Sequence, residues 1–319
     1  MAKPRAILFF LFVVVTQFCL SQRSFSKEFS FVSDNDLYFY FLQDRYYTNG
    51  IFLTYRYLGR SDKINIEKKI FEIQIGQKIY TPSTIVEPIP VEQHDRPFAG
   101  YLYSSFGINK FFSNATFLKT YLKVGVIGSD SFAEEVQNFI HNITGFKNTY
   151  GWKYQIKNAL ALNFAIKYAK NLKNKLNTID FTWINQAKVG TVNTNISTGI
   201  FARIGLKPLQ KLANSIAFNS NLNNSQTHYS NKAESFLYIS SAVKYVVYDA
   251  TIQGSFLNPG SPKTFSLIPL VFIAKLGVRF TYNRFNFGYA LNYYSKKLKS
   301  IQASQGNIYA SIQVNYQFN

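Results

Sequence analysis

Cysteine is all but missing from this chain of 319 residues: the single one is Cys19, and His occurs only at positions 94, 141 and 228. A disulfide framework and a thiolate zinc site are therefore excluded. Acidic residues are scarce as well, Asp+Glu 16 against Lys+Arg 35, for a net charge of +19 at pH 7. That imbalance suggests a polyanionic partner (nucleic acid, an anionic membrane surface or a phosphorylated glycolipid) and does not choose among them. Beyond the N-terminal segment no apolar run is long enough for a membrane-spanning helix. The patterns GxSxG, HExxH, GxGxxG and the P-loop are absent, and no period of 20–50 residues recurs, so a solenoid or propeller is left out. What is plentiful is apolar and aromatic side chain, 47% and 18% of residues, which excludes a disordered tail and a coiled coil.

The first residues address the chain. Lys3 and Arg5 precede an apolar run from Ala6 to Phe18 broken only by Thr16 and Gln17, and Cys19 and Ser21 supply small residues at −3 and −1 of a cut before Gln22. These features predict a secretory signal, 1–21, with 22–319 as the mature domain; the alternative is an uncleaved membrane anchor, for which the run falls short of the ~20 residues a spanning helix needs. A lipoprotein cut before Cys19 is disfavoured because Phe18 holds the position that needs a small residue. The mature chain keeps 33 basic residues against 16 acidic, net +17, and no cysteine.

Period-two alternation dominates the mature chain. Ile308, Ala310, Ile312, Val314, Tyr316 and Phe318 fall on one face of a strand, Tyr309, Ser311, Gln313, Asn315 and Gln317 on the other. Arg284–Tyr294 repeats the pattern. The same signal marks segments near 28–34, 50–58, 69–80, 99–112, 115–125, 154–170, 179–192, 195–206, 235–249 and 267–282, about twelve strands in all. A soluble sandwich would carry charge on its outward face, whereas these faces are aromatic and aliphatic. The expectation is a transmembrane antiparallel β-barrel of about 12 strands, multi-pass in the outer membrane, with the aromatic Phe318 near its C-terminus. The polar stretch 219–232 and the Gly/Pro segment 253–263 read as loops.

One segment breaks the β pattern. Between Gly128 and Gly145, Phe132, Val136, Phe139, Ile140 and Ile143 recur at helical spacing, with Ser129, Asp130 or Ser131 available as a cap. The spacing predicts a short helix inserted in an outer loop, with Gln137 and His141 on one face. Near the N-terminus, Ser33-Asp34-Asn35-Asp36 and Asp44-Arg45-Tyr46-Tyr47-Thr48-Asn49-Gly50 bring together carboxylate, amide and hydroxyl oxygens, the ligand types of a hard cation, or simply of a polar hairpin.

In order along the chain, FVSDND, DRYYTNG, DRPFAG (Asp95–Gly100), the block Gly125–His141 with its Asp, Glu-Val-Gln-Asn and His, and GWKYQIKN (Gly151–Asn158) resemble the lipid A 3′-O-deacylase family of outer-membrane enzymes. The resemblance spans roughly 31–158. It implies a twelve-stranded barrel with its active site between the wall and a helix from an outer loop, removal of the acyloxyacyl group ester-linked at the 3′ position of lipid A, and a need for calcium. By motif, His141 would be the general base that activates water and Gln137 would shape the site. Asn35, Asp36 and Thr48 match positions associated with metal binding, Asn35 and Thr48 with catalysis too. Calcium could polarise the ester carbonyl while neutral His141, with a reference pKa of ~6.5, takes a proton from water. The sequence departs from the family after the third strand, where Thr81–Pro90 has no Lys or Arg; Lys147 and Lys153 are candidate replacements for phosphate contacts or solvated side chains. Two other readings stand beside this one: a calcium-dependent outer-membrane phospholipase, and a non-enzymatic barrel or pore. Lipid A or lipopolysaccharide is the expected partner and nucleic acid is not; oligomeric state is open.

Overall fold

The computed structural model describes residues 24–39, 46–60, 64–83, 89–172, 177–224, 227 and 232–319. The segment read as a signal peptide lies outside them, as do Asp44, Arg45 and His228. Twelve antiparallel strands, each paired with its sequence neighbours, close into one barrel. They are β1 (Lys27–Asn35), β2 (Tyr46–Gly59), β3 (Ile66–Thr81), β4 (Ala99–Phe112), β5 (Thr116–Ile127), β6 (Ala159–Leu172), β7 (Ile179–Gly190), β8 (Asn193–Gly205), β9 (Ser235–Asp249), β10 (Leu270–Tyr282), β11 (Phe285–Ser295) and β12 (Gly306–Phe318). The seam is β1 on β12, from Lys27 opposite Phe318 to Asn35 opposite Ala310. Closure removes the sheet edges, and strands of 9 to 16 residues suffice to cross a bilayer when tilted.

The wall sorts side chains by parity. On β6, Leu160, Leu162, Phe164, Ile166 and Tyr168 are exposed on the outside, while Ala161, Asn163, Ala165 and Ala169 are buried inside. In β12 the exposed residues are Ile308, Ile312 and Tyr316, and Asn315 and Gln317 are buried. An apolar belt therefore faces lipid and a polar set faces the lumen, as in outer-membrane barrels. Among the described residues no helix is long and apolar enough to cross a membrane.

At the end of the barrel where β1 starts and β12 finishes, the connections are short, except for 206–234 between β8 and β9. Two 3-10 turns there, Leu212–Asn214 and Ile216–Phe218, enter the lumen. Leu212, Ala213 and Leu222 pack against the inward-facing Ile70, Phe111, Phe117 and Ala169. Polar atoms of the plug are tied down as well: Lys68 donates to Asn214 Oδ1 at 3.0 Å and to the Ser220 carbonyl at 2.7 Å, and the Phe25 amide donates to Asn223 at 2.7 Å. Short turns belong on the periplasmic side, so the plug closes the periplasmic end.

Two expectations need correction. A strand starting at Tyr154 is shorter than expected, because Gly151 at φ 109° turns the chain into a 3-10 turn, Trp152–Tyr154, and β6 starts at Ala159. The inserted helix, α1 (Ala133–Thr144), is not capped by Ser129, Asp130 or Ser131. Those three form a 3-10 turn, with Asp130 accepting from Asn158 at 2.7 Å, and Phe132 in the left-handed region is the cap residue.

Candidate active site

Strand parity and one bulge decide where the N-terminal polar residues point. On β1 the exposed Phe29 and Phe31 fix odd positions as outward, so Asn35 lies on the lipid side of the wall and Asp34 on the lumen side. Asp34 accepts from Tyr47 Oη at 2.7 Å and Ser311 Oγ at 2.6 Å. Asn35 instead donates to Asn49 at 3.2 Å, and its Oδ1 accepts from the Leu37 amide at 2.7 Å, which turns the chain out of the strand. Tyr289, on the outer face of β11, donates to the Tyr38 carbonyl at 3.2 Å, so the segment after β1 folds over the outside. Asp36 is buried there, its amide donating to the Thr48 carbonyl at 3.3 Å.

Thr48 is the extra residue of a β-bulge: Tyr47 faces Tyr80 and Asn49 faces Ile79 on β3. The bulge lets Tyr47 turn inward while Asn49 stays beside Asn35 on the outer side, as bulges near functional sites re-aim side chains. Thr48 is fully buried and donates to the Ile79 carbonyl at 3.4 Å. Ile79 belongs to an apolar cluster with Phe98, Ala133 and Trp152, against which Val136 packs. That cluster joins the two halves of the site, since Ala133 and Val136 belong to α1.

Helix α1 is seated on the outside of the β3–β4 wall. A Cβ added at Gly100 would lie 1.9 Å from Ser131 Oγ and 2.4 Å from Ala133 Cβ, so only glycine admits this approach. Gln77, outward on β3, donates to the Ser131 carbonyl at 2.7 Å. The face on the wall mixes apolar and polar side chains: Gln137 and His141 are 0% and 4% exposed beside the buried Ala133, whereas Phe139 and Ile143, 64% and 69% exposed, point away from it together with Glu135 and Asn142. Large apolar side chains on the outward face fit a helix lying beside lipid.

Both polar side chains are held by groups that sequence patterns do not single out. Trp152 Nε1 donates to Gln137 Oε1 at 3.0 Å. His141 Nδ1 lies 2.7 Å from the Lys147 carbonyl. A carbonyl only accepts, so Nδ1 carries the proton and Nε2 holds the lone pair of the neutral ring. The turn that returns Lys147 is set by Gly145 at φ 79°, whose amide caps the helix at the His141 carbonyl. Asn49 and Trp152 lie inside recognised motifs, but their roles are visible only once the chain is folded. Lys147 and Lys153 are exposed, Lys153 lying 5.0 Å over the Tyr154 ring.

His94 is distinct. It is buried against Phe98 and Tyr154 below α1, and burial, reinforced by Lys263, lowers its pKa and keeps it neutral. It packs the floor under Trp152.

A closed twelve-stranded barrel with a lipid-facing apolar belt and helix α1 on its outer surface defines an outer-membrane β-barrel protein. The chain matches the family described as outer membrane protein LpxR over residues 7–318, and it belongs to that family. LpxR from Salmonella typhimurium superposes with a TM-score of 0.73 at 19% identity, over 91% of this chain and 100% of that one. The β domain of the Bordetella autotransporter BrkA matches at a TM-score of 0.49 and 9% identity, over 93% and 99% of the two chains. No curated protein sequence matches the chain significantly. The outer membrane is its location.

Proposed function

We propose that the protein is a hydrolase that removes the 3′-linked acyloxyacyl group of lipid A by attack of His141-activated water on the ester. The observation that carries this reading is the side of the wall on which the polar residues sit: Asn35, Thr48, Asn49, Gln137 and His141 are buried on the lipid side, where most outward side chains are apolar. Burying polar groups at membrane depth is costly, and they mark function there. A substrate anchored in the outer leaflet reaches that face without leaving the bilayer. Membership of the LpxR family and the ordered motifs between 31 and 158 support the same substrate.

In this reading Nε2 of His141 takes a proton from water as the oxygen bonds to the ester carbon. The bond from carbonyl carbon to the sugar oxygen then breaks, and the imidazolium returns its proton to that oxygen, leaving a 3′ hydroxyl and a free acid. The Lys147 carbonyl stabilises the imidazolium through Nδ1–H, and Trp152 keeps the Gln137 amide oriented towards the site. Phe139 and Ile143, exposed on the same helix, offer acyl chains an apolar surface.

Asn35, Asp36 and Thr48 would hold calcium. Their donors are oxygens only, one carboxylate with amide and hydroxyl, and among the described residues no three His, Cys, Asp or Glu stand together. Such a set suits a hard cation that also accepts carbonyl oxygens, and not zinc. When bound, calcium supplies a Lewis acid for the ester carbonyl.

The test is mass spectrometry of lipid A incubated with detergent-solubilised protein, with calcium, with chelator and with His141→Ala. Loss of the 3′ acyloxyacyl mass should need calcium and fall roughly 10²- to 10⁴-fold in the variant, the usual contribution of a general base. Folded protein that leaves lipid A intact in every condition, or an active His141→Ala, rejects the reading.

A further inference from the structure

The opposite face of the same wall encloses a second site. Above the plug, the extracellular half of the lumen holds a cavity of about 190 Å³ lined by Lys78, Lys123, Lys188, Lys244 and Lys297, with Asp249 as the acidic residue on its wall. None of the five ammonium groups makes an ion pair or a hydrogen bond within the described residues. Four of them rest over rings instead: Lys123 lies 3.6 Å over Tyr103, Lys297 and Lys244 lie 4.1 and 5.5 Å over Tyr294, and Lys78 lies 5.6 Å over Tyr47. Asp249 is engaged with Thr251, accepting from its hydroxyl at 2.6 Å and its amide at 3.0 Å. The Asn195 side-chain carbonyl, on the same wall, is buried without a partner.

Like charges gathered in a confined volume repel unless a counter-charge is present. Ring faces offset part of that repulsion but carry no net charge. Burial and the neighbouring Arg96 and Lys188 hold the Lys297 pKa down to about 8 in spite of Asp249. The plug packs into the periplasmic half of the lumen, so the chamber lies on the extracellular side of it. Cavities for drug-sized ligands run to roughly 300–1,000 Å³, so a compact ligand of high charge density fits this one.

We infer that the upper lumen binds a phosphate-type anion carrying two or more negative charges, held by Lys78, Lys123, Lys188, Lys244 and Lys297. Lysine serves as a point charge for phosphoryl oxygens, and Tyr hydroxyls on the wall offer donors between the ammonium groups. The site is independent of the hydrolase reading, because its residues face away from Asn35, Gln137 and His141 across the wall. Free diphosphate and a phosphorylated sugar share this chemistry, and the experiment separates them.

Isothermal titration of the full-length protein in detergent, with chelator present, uses inorganic diphosphate in one arm and glucose 1,6-bisphosphate in the other. Binding of either supports the site, and preference between them names the source. The paired variant Lys123→Gln/Lys244→Gln should weaken binding at least about tenfold, and Lys207→Gln, an exposed lysine at the periplasmic end with the same charge change, should leave it unaltered. Heat-modified electrophoretic migration checks that the barrel has formed. Should the paired variant fail that check, Lys188→Gln alone decides, with a loss of about threefold or more expected. Absence of binding to both anions, or equal weakening by Lys207→Gln, overturns the inference.

Discussion

The two halves of the barrel interior treat most of their positive charge differently. In the periplasmic half, two of the three buried arginines among the described residues meet carboxylates: Arg56 pairs with Glu28 at 2.7 Å and Glu72 at 2.8 Å, and Arg203 with Asp180 at 2.5 Å and Glu234 at 3.1 Å, while Arg279 donates to Asn219 Oδ1 at 3.0 Å. Lys119 joins the first group through Glu72 at 2.6 Å. In the extracellular half five lysines face one another and tyrosine rings, without such partners among the described residues. Charge neutralised by the protein holds its own architecture together; charge left over awaits something that is not protein. Part of the basic excess that suggested a polyanionic partner is thus stored inside the wall.

The largest break in this contrast should come from Arg203→Leu. Arg203 is fully buried and also donates to Ser215 Oγ at 2.5 Å and the Gln210 carbonyl at 2.9 Å, so it pins both wall and plug. Removing it leaves Asp180 and Glu234 unpaired, and the expected loss is roughly 3–5 kcal/mol in detergent unfolding, with faster proteolysis within 206–234. Burial already raises the Glu234 pKa despite Arg203. A carboxyl with a raised folded pKa favours folding at low pH and loses that advantage as pH rises through the folded value. The damage from Arg203→Leu should therefore be smaller near pH 5 than near pH 8. An intermediate effect, about 1–3 kcal/mol, is expected for Lys68→Met, which strands the acceptors of Asn214 and Ser220; chemical denaturation checks it.

The barrel was legible in the sequence because both sides of its wall follow period two, and β4 and β9 begin and end where the alternation does, at 99–112 and 235–249. Legibility failed where tertiary geometry interrupts that period. The bulge at Thr48 sits within β2, so Tyr46–Asn49 do not read as strand although they belong to it. Asn35, Asp36, Thr48, Gln137 and His141 are reached through motif resemblance, and the structure sets them at the outer wall. Their supports are not reachable in this way: the Lys147 carbonyl that fixes the His141 ring is a backbone atom, and Trp152 meets Gln137 only through the seating of α1 on Gly100. The lumen lysines are equally hidden, since alternation says which side a residue faces but not which residues stand opposite.

The smallest effect sharpens the comparison most. Replacing a paired cation costs stability, whereas Lys123→Gln should cost none and, at low salt, gain up to about 1 kcal/mol by relieving repulsion, a gain that fades as ionic strength rises. Lys297 extends this to pH. It faces Asp249, Arg96, Lys188 and the Tyr294 ring, and its pKa stands at about 8 against an ordinary 10.5. Above that value the folded protein releases a proton that the unfolded chain keeps, so stability contributed by this group should rise with pH between about 8 and 10. Lys297→Gln should flatten that slope, and diphosphate should suppress it in the unaltered protein by holding the ammonium form. A flat profile in the unaltered protein at low salt would mean that the upper lumen is already neutralised, and the difference between the two halves would vanish.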